Sequence, residues 1–182
     1  MRFLVFVGLA LREVLEARRA ATLISDGLHS SSASELIYRR GRAGDMMDGV
    51  QLDIPDSNHM SVAVDRKARK EKAVVGRVEW EKDRMLPIAV LNQIKTRRRD
   101  AVVAYISEVN VTRSWQNQRV GSAMLPKALG DIRARIPDVM AAYLFVTDTN
   151  TWAIRLYTKF NFTCIRCYPY SRLCLYSHIL GN

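Results

Sequence analysis

Ala101-Val102-Val103-Ala104-Tyr105-Ile106-Ser107-Glu108-Val109-Asn110-Val111 runs into the polar turn Thr112-Arg113-Ser114-Trp115-Gln116-Asn117-Gln118-Arg119-Val120-Gly121-Ser122, and this stretch decides the fold. Its first part is β-branched or aromatic on both faces, the composition of a buried central strand. Beyond the turn, Ala123, Met124, Ala128, Leu129, Ile132 and Ile136 recur at helical spacing, so strand, loop and helix follow one another. Tyr143-Leu144-Phe145-Val146-Thr147 reads as a second strand. Residues 150–160 read as a second helix, with Ala153, Ile154, Tyr157 and Phe160 on one stripe. Such a β-α-β-α unit predicts a right-handed crossover and parallel strands. Pro126 conflicts locally, because inside a helix beginning near Gly121 it removes a backbone bond and kinks the axis at a cost of about 3 kcal/mol. The spacing therefore predicts a late helix start or a distorted end.

The chain has 182 residues, enough for one sizeable core, and 48% hydrophobic with 25% charged is ordinary globular composition. The formal charge of +10 comes largely from the runs Arg39-Arg40-Gly41-Arg42, residues 66–72 and Arg97-Arg98-Arg99. Such runs favour a polyanionic partner, but no aromatic residues interleave with them to stack bases, so solvated loops are expected and no nucleic-acid partner. Cys164, Cys167 and Cys174 are odd in number. One Cys-x-x-Cys without a second ligand pair is a poor zinc signal, so no metal is expected and the cysteines read as reduced residues of a cytoplasmic protein.

Arg2 followed by Phe3 to Leu11 imitates a signal peptide, yet the apolar run meets Arg12 and Glu13 without a small-residue cleavage site. It is too short to span a bilayer. Residues 9–24 read as a basic amphipathic helix whose ordinary role is to cover a core, with membrane contact through residues 1–24 as the minor alternative. Residues 25–34 are a turn-rich linker, so the division expected is 1–34 for helix and linker and 35–182 for the folded domain. Within that domain Glu35 to Arg40 suits a strand and Asp45 to Leu52 a short helix ending before Pro55. Met60 to Val64 and Ala73 to Trp80 suit strands joined by a basic hairpin connection. Ile88 to Leu91 is read as a strand extension, and Arg166 to Ile179, broken at Pro169, as one or two closing strands.

A buried strand that delivers a polar loop onto a helix N-terminus aims several unpaired N–H groups at one point, where the helix dipole adds positive potential. Such a place binds phosphates. Gly121 permits close backbone approach, Gln116, Asn117, Gln118 and Arg119 offer donors, and Arg119 adds a charge. Many such turns are polar only for solubility, so the loop alone leaves both readings open.

Residues 115–125 resemble motif A of the GNAT family of N-acetyltransferases, a Gln/Arg-x-x-Gly-x-Gly/Ala loop that holds the coenzyme A pyrophosphate. Two registers satisfy it. One puts Gln116 first, Arg119 where glycine is usual and Gly121 last; the other uses Gln118, Gly121 and Ala123. The first keeps the family's spacing from Tyr105. Downstream, residues 150–162 resemble the family's motif B, Asn-x-x-Ala-x-x-x-Tyr-x-x-x-x-Phe, met by Asn150, Ala153, Tyr157 and Phe162. Within the family the chain is similar to the N-alpha-acetyltransferases, particularly the NatF and NatE catalytic subunits. The similarity lies in Ile54-Pro55-Asp56-Ser57, Tyr105-Ile106, Tyr143-Leu144-Phe145-Val146 and Tyr168-Pro169-Tyr170. Phe145 departs from that branch, which has a histidine serving as base at this place.

The resemblance implies an α/β (α+β) domain in three layers, with a mixed, mostly antiparallel sheet flanked by helices and a parallel pair splayed at the cofactor. It implies acetyl-CoA as co-substrate and direct transfer of the acetyl group to an amine, most simply a peptide or protein N-terminus. Val109 and Val111 would meet the pantetheine arm with their backbone, and the loop with Val120, Gly121 and Ser122 would meet the diphosphate. Asn150 would cap the second helix or reach the cofactor. Tyr157 would face the departing sulfur, and Tyr105 would serve as base or position its water. Pro55, Asp56, Tyr105, Tyr168 and Tyr170 would meet the acceptor. On a regular strand Tyr105 and Glu108, an alternative base, face opposite ways unless a bulge intervenes. Lysine side chains or small amines as acceptors, and a CoA-binding module without catalysis, are the competing readings.

Overall fold

A computed structural model describes residues 32–54, 58–83, 87–94 and 101–180. Its strands, in chain order, are β1 (Ile37–Arg40), β2 (Met46–Met47), β3 (Val50–Gln51), β4 (Asn58–Val64), β5 (Val74–Asp83), β6 (Val102–Val111), β7 (Val139–Thr147), β8 (Thr163–Tyr168) and β9 (Leu173–Ile179). The helices are α1 (Ile88–Ile94), α2 (Val120–Arg135) and α3 (Thr151–Lys159). Seven strands form one sheet in the order β1-β4-β5-β6-β7-β9-β8. β6 and β7 are parallel and every other neighbouring pair is antiparallel. The crossover expected between the two parallel strands is therefore present, and α2 makes it.

Both faces of the sheet are covered, which is why β6 is apolar on both sides. On one face Val78, Trp80, Ala104, Ile106 and Leu144 pack with Met124, Leu125, Ala128 and Ile132 of α2 and with Tyr157 of α3. On the other, Val103, Ala141, Tyr143 and Leu175 pack with Val90 of α1. Met47, Leu52, Met60, Val62 and Val74 form a further cluster.

Pro126 lies inside α2, which starts at Val120 rather than late. The lost backbone bond is outweighed. Val120, Met124, Leu125, Leu129 and Ile132 are all buried, and each contributes roughly 1.5–3 kcal/mol against a proline penalty of about 3 kcal/mol.

Three expectations from the sequence are overturned. Residues 45–52 are a hairpin, not a helix, because Asp48 (φ 51°) and Gly49 (φ 82°) both take the left-handed conformation that a tight hairpin turn requires. Arg39 anchors its start, donating to Asp45 at 2.6 and 2.8 Å, so this part of the basic run is paired. The strand extension over 88–91 is a helix. Pro87, with φ preset for it, accepts from Val90 at 2.8 Å and Leu91 at 3.2 Å, and Val90 is buried beneath. The cysteines are not all reduced: Cys167 and Cys174 face each other on β8 and β9 and are joined by a disulfide, leaving Cys164 free.

Candidate active site

β6 and β7 pair only from Val102 to Tyr105 and from Val139 to Tyr143. Beyond these rungs β6 runs on to Val111 and β7 to Thr147 as a splayed pair. A groove of about 570 Å³ opens beside the splay, lined by Val109, Asn110 and Val111, the loop residues Trp115, Gln116, Asn117 and Arg119, and Val120, Gly121 and Ser122 of α2. Asn150, Trp152, Ala153, Leu156 and Tyr157 close its other wall. Ten of the residues expected to meet the cofactor therefore converge on one open cleft.

The loop is shaped by its own side chains. Gln116 donates through Nε2 to the Val111 carbonyl at 3.1 Å, and Gln118 donates to Ser114 at 2.8 Å. Gln116 lines the groove whereas Gln118, the remaining cofactor candidate, does not, which favours the register beginning at Gln116. Asn117 (φ 63°) and Arg119 (φ 65°) are both left-handed, and Arg119 is the N-cap residue of α2. Ala123 makes the first intrahelical bond, to the Arg119 carbonyl at 3.0 Å. The amides of Val120, Gly121 and Ser122 precede it, as the leading N–H groups of any helix do. These amides, the helix dipole and the Arg119 guanidinium suit a diphosphate, so the cleft fits the nucleotide end of acetyl-CoA. Gly121 fits for a second reason: a Cβ there would lie 3.2 Å from Leu156 Cδ2, against the groove wall.

Arg119, where the register beginning at Gln116 would expect glycine, holds a backbone angle that costs a non-glycine residue about 1–2 kcal/mol. Arg119→Gly is expected to raise stability by roughly 1 kcal/mol in urea denaturation while weakening cofactor affinity through the lost charge. Equal or lower stability would mean that the side chain supports the loop.

Asn150 caps α3, its Oδ1 accepting from the Ala153 amide at 3.1 Å, and it also lines the groove. Tyr157 is buried on the groove side, and burial pushes its hydroxyl up to about 12. It is a neutral proton donor at physiological pH.

Tyr105 lies on the opposite face of the sheet. Its ring stacks on Tyr143 at 5.0 Å between centroids and meets Phe145 edge-on at 6.4 Å. Phe145 in turn meets Tyr168 at 6.3 Å. Tyr143 donates to Asp83, and burial, reinforced by that carboxylate, raises the Tyr143 hydroxyl far above its ordinary range. Glu81 is the register partner of Tyr105. Glu79 pairs with Glu108 and Trp80 with Ile106, so Ser107 is an extra residue in β6. That bulge turns Tyr105 and Glu108 onto one face. Arg77 bridges the carboxylates, reaching Glu108 at 2.5 Å and Glu79 at 3.2 Å, while Asn110 donates to Glu108 at 3.1 Å. Burial raises the Glu79 carboxyl despite the opposing pull of Arg77, with Glu108 adding to the rise.

Of the acceptor candidates, Tyr105 and Tyr168 belong to this aromatic shelf. Tyr170 does not: it sits fully exposed in the turn between β8 and β9. Pro55 and Asp56 lie outside the described residues, as do residues 1–24. Sequence reasoning missed Trp115 and Trp152 in the groove and the Tyr143–Asp83 pair behind Tyr105. Trp152, 69% exposed in the first turn of α3 with the Arg155 guanidinium of that helix over its ring at 5.6 Å, is a signal that could have been used, since a tryptophan at a polar helix start takes no part in the apolar stripe.

The sequence model of the acetyltransferase (GNAT) family matches residues 35–162. No curated protein matches significantly. Among solved structures, Arabidopsis thaliana NAA60 in complex with acetyl-CoA superposes with a TM-score of 0.63 at 17% identity, covering 81% of this chain and 99% of that one. The same protein in complex with a bisubstrate analogue gives 0.59 at 20% identity over 69% and 76%. The NatC complex bound to Gag peptide and CoA gives 0.52 at 16% over 68% and 70%. At these identities the structures speak for the fold, while the family match spans most of the chain and the open cleft fits its co-substrate. The chain belongs to the GNAT acetyltransferase family and is an acyltransferase that uses acetyl-CoA.

Proposed function

We propose that the acceptor is the α-amino group of a protein or peptide N-terminus, and that residues 35–182 are the working domain. The observation that carries this reading is that Tyr157 and Tyr105 flank the splay from opposite faces, with Phe145 where a basic side chain would be expected. Acetyl-CoA supplies an acetyl group already activated as a thioester. Val120, Gly121 and Ser122 hold its diphosphate, Val109 and Val111 line its arm, and the neutral Tyr157 hydroxyl offers a proton to the sulfur. Tyr105 orients the amine or the water that takes its proton.

A site of tyrosines beside a phenylalanine is a weak base. That suits an α-amine of pKa about 7.7–8.0, part of which is neutral at physiological pH, and not a lysine near 10.4. The NatC complex, which shares this fold, is bound to a peptide and CoA, and this supports a peptide acceptor here. The second reading is a lysine or small amine, favoured by the raised carboxyl of Glu79 next to Glu108 on the Tyr105 face. The expected cytoplasmic location rests on reduced cysteines, and two of the three are paired in a disulfide. Among the described residues no helix is long and apolar enough to cross a membrane.

A panel of peptides with free N-termini, N-blocked lysine peptides and small diamines, followed by mass spectrometry with acetyl-CoA, separates the readings. Free N-termini are expected to give the highest kcat/KM, and Tyr105→Phe to lower it. Preference for blocked lysine peptides sinks the α-amine reading. Retained CoA binding with no turnover on any amine leaves a binding module.

A further inference from the structure

The β8–β9 hairpin gathers three sulfur atoms. Cys167 and Cys174 are direct register partners, but Cys164 stands three positions before Cys167 and on a regular strand would point the other way. The pairing shifts between Cys164 and Arg166, making Ile165 an extra residue. This bulge turns Cys164 onto the face of Cys167. All three Sγ atoms then lie within 4.8 Å of one another, and those of Cys164 and Cys167 are 3.6 Å apart. Two thiolates on one tetrahedral zinc, at about 2.3 Å each, stand roughly 3.8 Å apart. The Cys-x-x-Cys pair thus already has the spacing of metal ligands. Cys174 is buried and fixes the floor of the cluster, while Cys164 and Cys167 are exposed and leave it open to solvent.

We propose that, once the Cys167–Cys174 disulfide is opened, the thiolates of Cys164, Cys167 and Cys174 form a binding site for a single zinc ion with water as fourth ligand. A dithiol reductant opens it: two electrons and two protons pass to the disulfide, the reductant becomes a disulfide, and two cysteine thiols result. With Cys164 there are then three thiols, which release three protons as their sulfurs ligate the ion. Disulfide and metal compete for the same sulfurs, so only the reduced protein binds. Counting ligand pairs along the chain misses the site because its third ligand arrives by strand pairing.

The test uses the full-length protein, reduced with dithiothreitol, desalted without oxygen and titrated with cobalt as a probe, then with zinc. The expected result is a thiolate-to-cobalt charge-transfer band that saturates at one equivalent and is bleached by one equivalent of zinc. The oxidised protein shows no band. Cys164→Ser, which keeps the disulfide pair and an exposed position, loses the band after reduction, and Cys167→Ser loses it as well. No band in the reduced wild type, or an undiminished one in Cys164→Ser, overturns the proposal.

Discussion

Gly121→Trp is expected to abolish acetyl-CoA binding in calorimetric titration, with an affinity loss of at least about a hundredfold, or roughly 2.8 kcal/mol. Gly121 sits in the first turn of α2, where a Cβ would already stand 3.2 Å from Leu156 Cδ2 and 4.0 Å from Val111 Cγ2. Both neighbours line the groove, so an indole placed here fills the cleft and covers the leading amides of the helix. Alanine at the same position makes an ordinary contact with Val111 and crowds only the flexible end of Leu156, so it should be tolerated. The fold is checked by far-UV circular dichroism. A tryptophan variant with native spectra and affinity within about tenfold of wild type would mean that the diphosphate binds elsewhere.

Tyr157→Phe removes one oxygen atom and is expected to lower kcat by about 10²–10⁴, the usual worth of a positioned acid, with the KM for acetyl-CoA nearly unchanged. The direction of the pH profile follows from the site. Activity rises as the acceptor amine loses its proton, through about 7.7–8.0 for an N-terminus. Tyr157 must be protonated to act, and its hydroxyl lies near 12, so it imposes no falling limb until the pH approaches that value. A kcat loss below about tenfold would remove Tyr157 as proton donor.

The strand-loop-helix unit was legible because β6 is apolar on both faces and α2 keeps helical spacing, two signals of different period in one short stretch. The cleft itself was legible for the same reason, since a loop between such elements has to end on a helix N-terminus. Misreadings arose where a single backbone angle or an extra residue overrides the pattern. Asp48-Gly49 makes a hairpin of residues whose apolar content also suits a helix, and Pro87 starts a helix where a strand extension is the expectation from the sequence. Two bulges were beyond reach. Ser107 sets Tyr105 and Glu108 on one face and Ile165 sets Cys164 beside Cys167; neither leaves a mark in composition, because a bulge is defined by the partner strand. Tyr143 was visible as part of a strand, but its carboxylate, Asp83, comes from a strand two places away in the sheet.

The brief join between β6 and β7 divides the sheet into two blades, β1-β4-β5-β6 and β7-β9-β8, fastened to each other over the stretch from Val102 to Tyr105. Elsewhere in the ladder, missing cross-strand bonds would be a defect; here the seam opens where an extended ligand with its own amides can be laid in. On the proposed reading the pantetheine arm would stitch the blades beside Val109, past the last rung to β7, whereas the Val111 carbonyl is already met by Gln116. A co-substrate laid in this way is expected to fasten the two blades to each other, and the melting temperature should climb with ligand concentration by mass action.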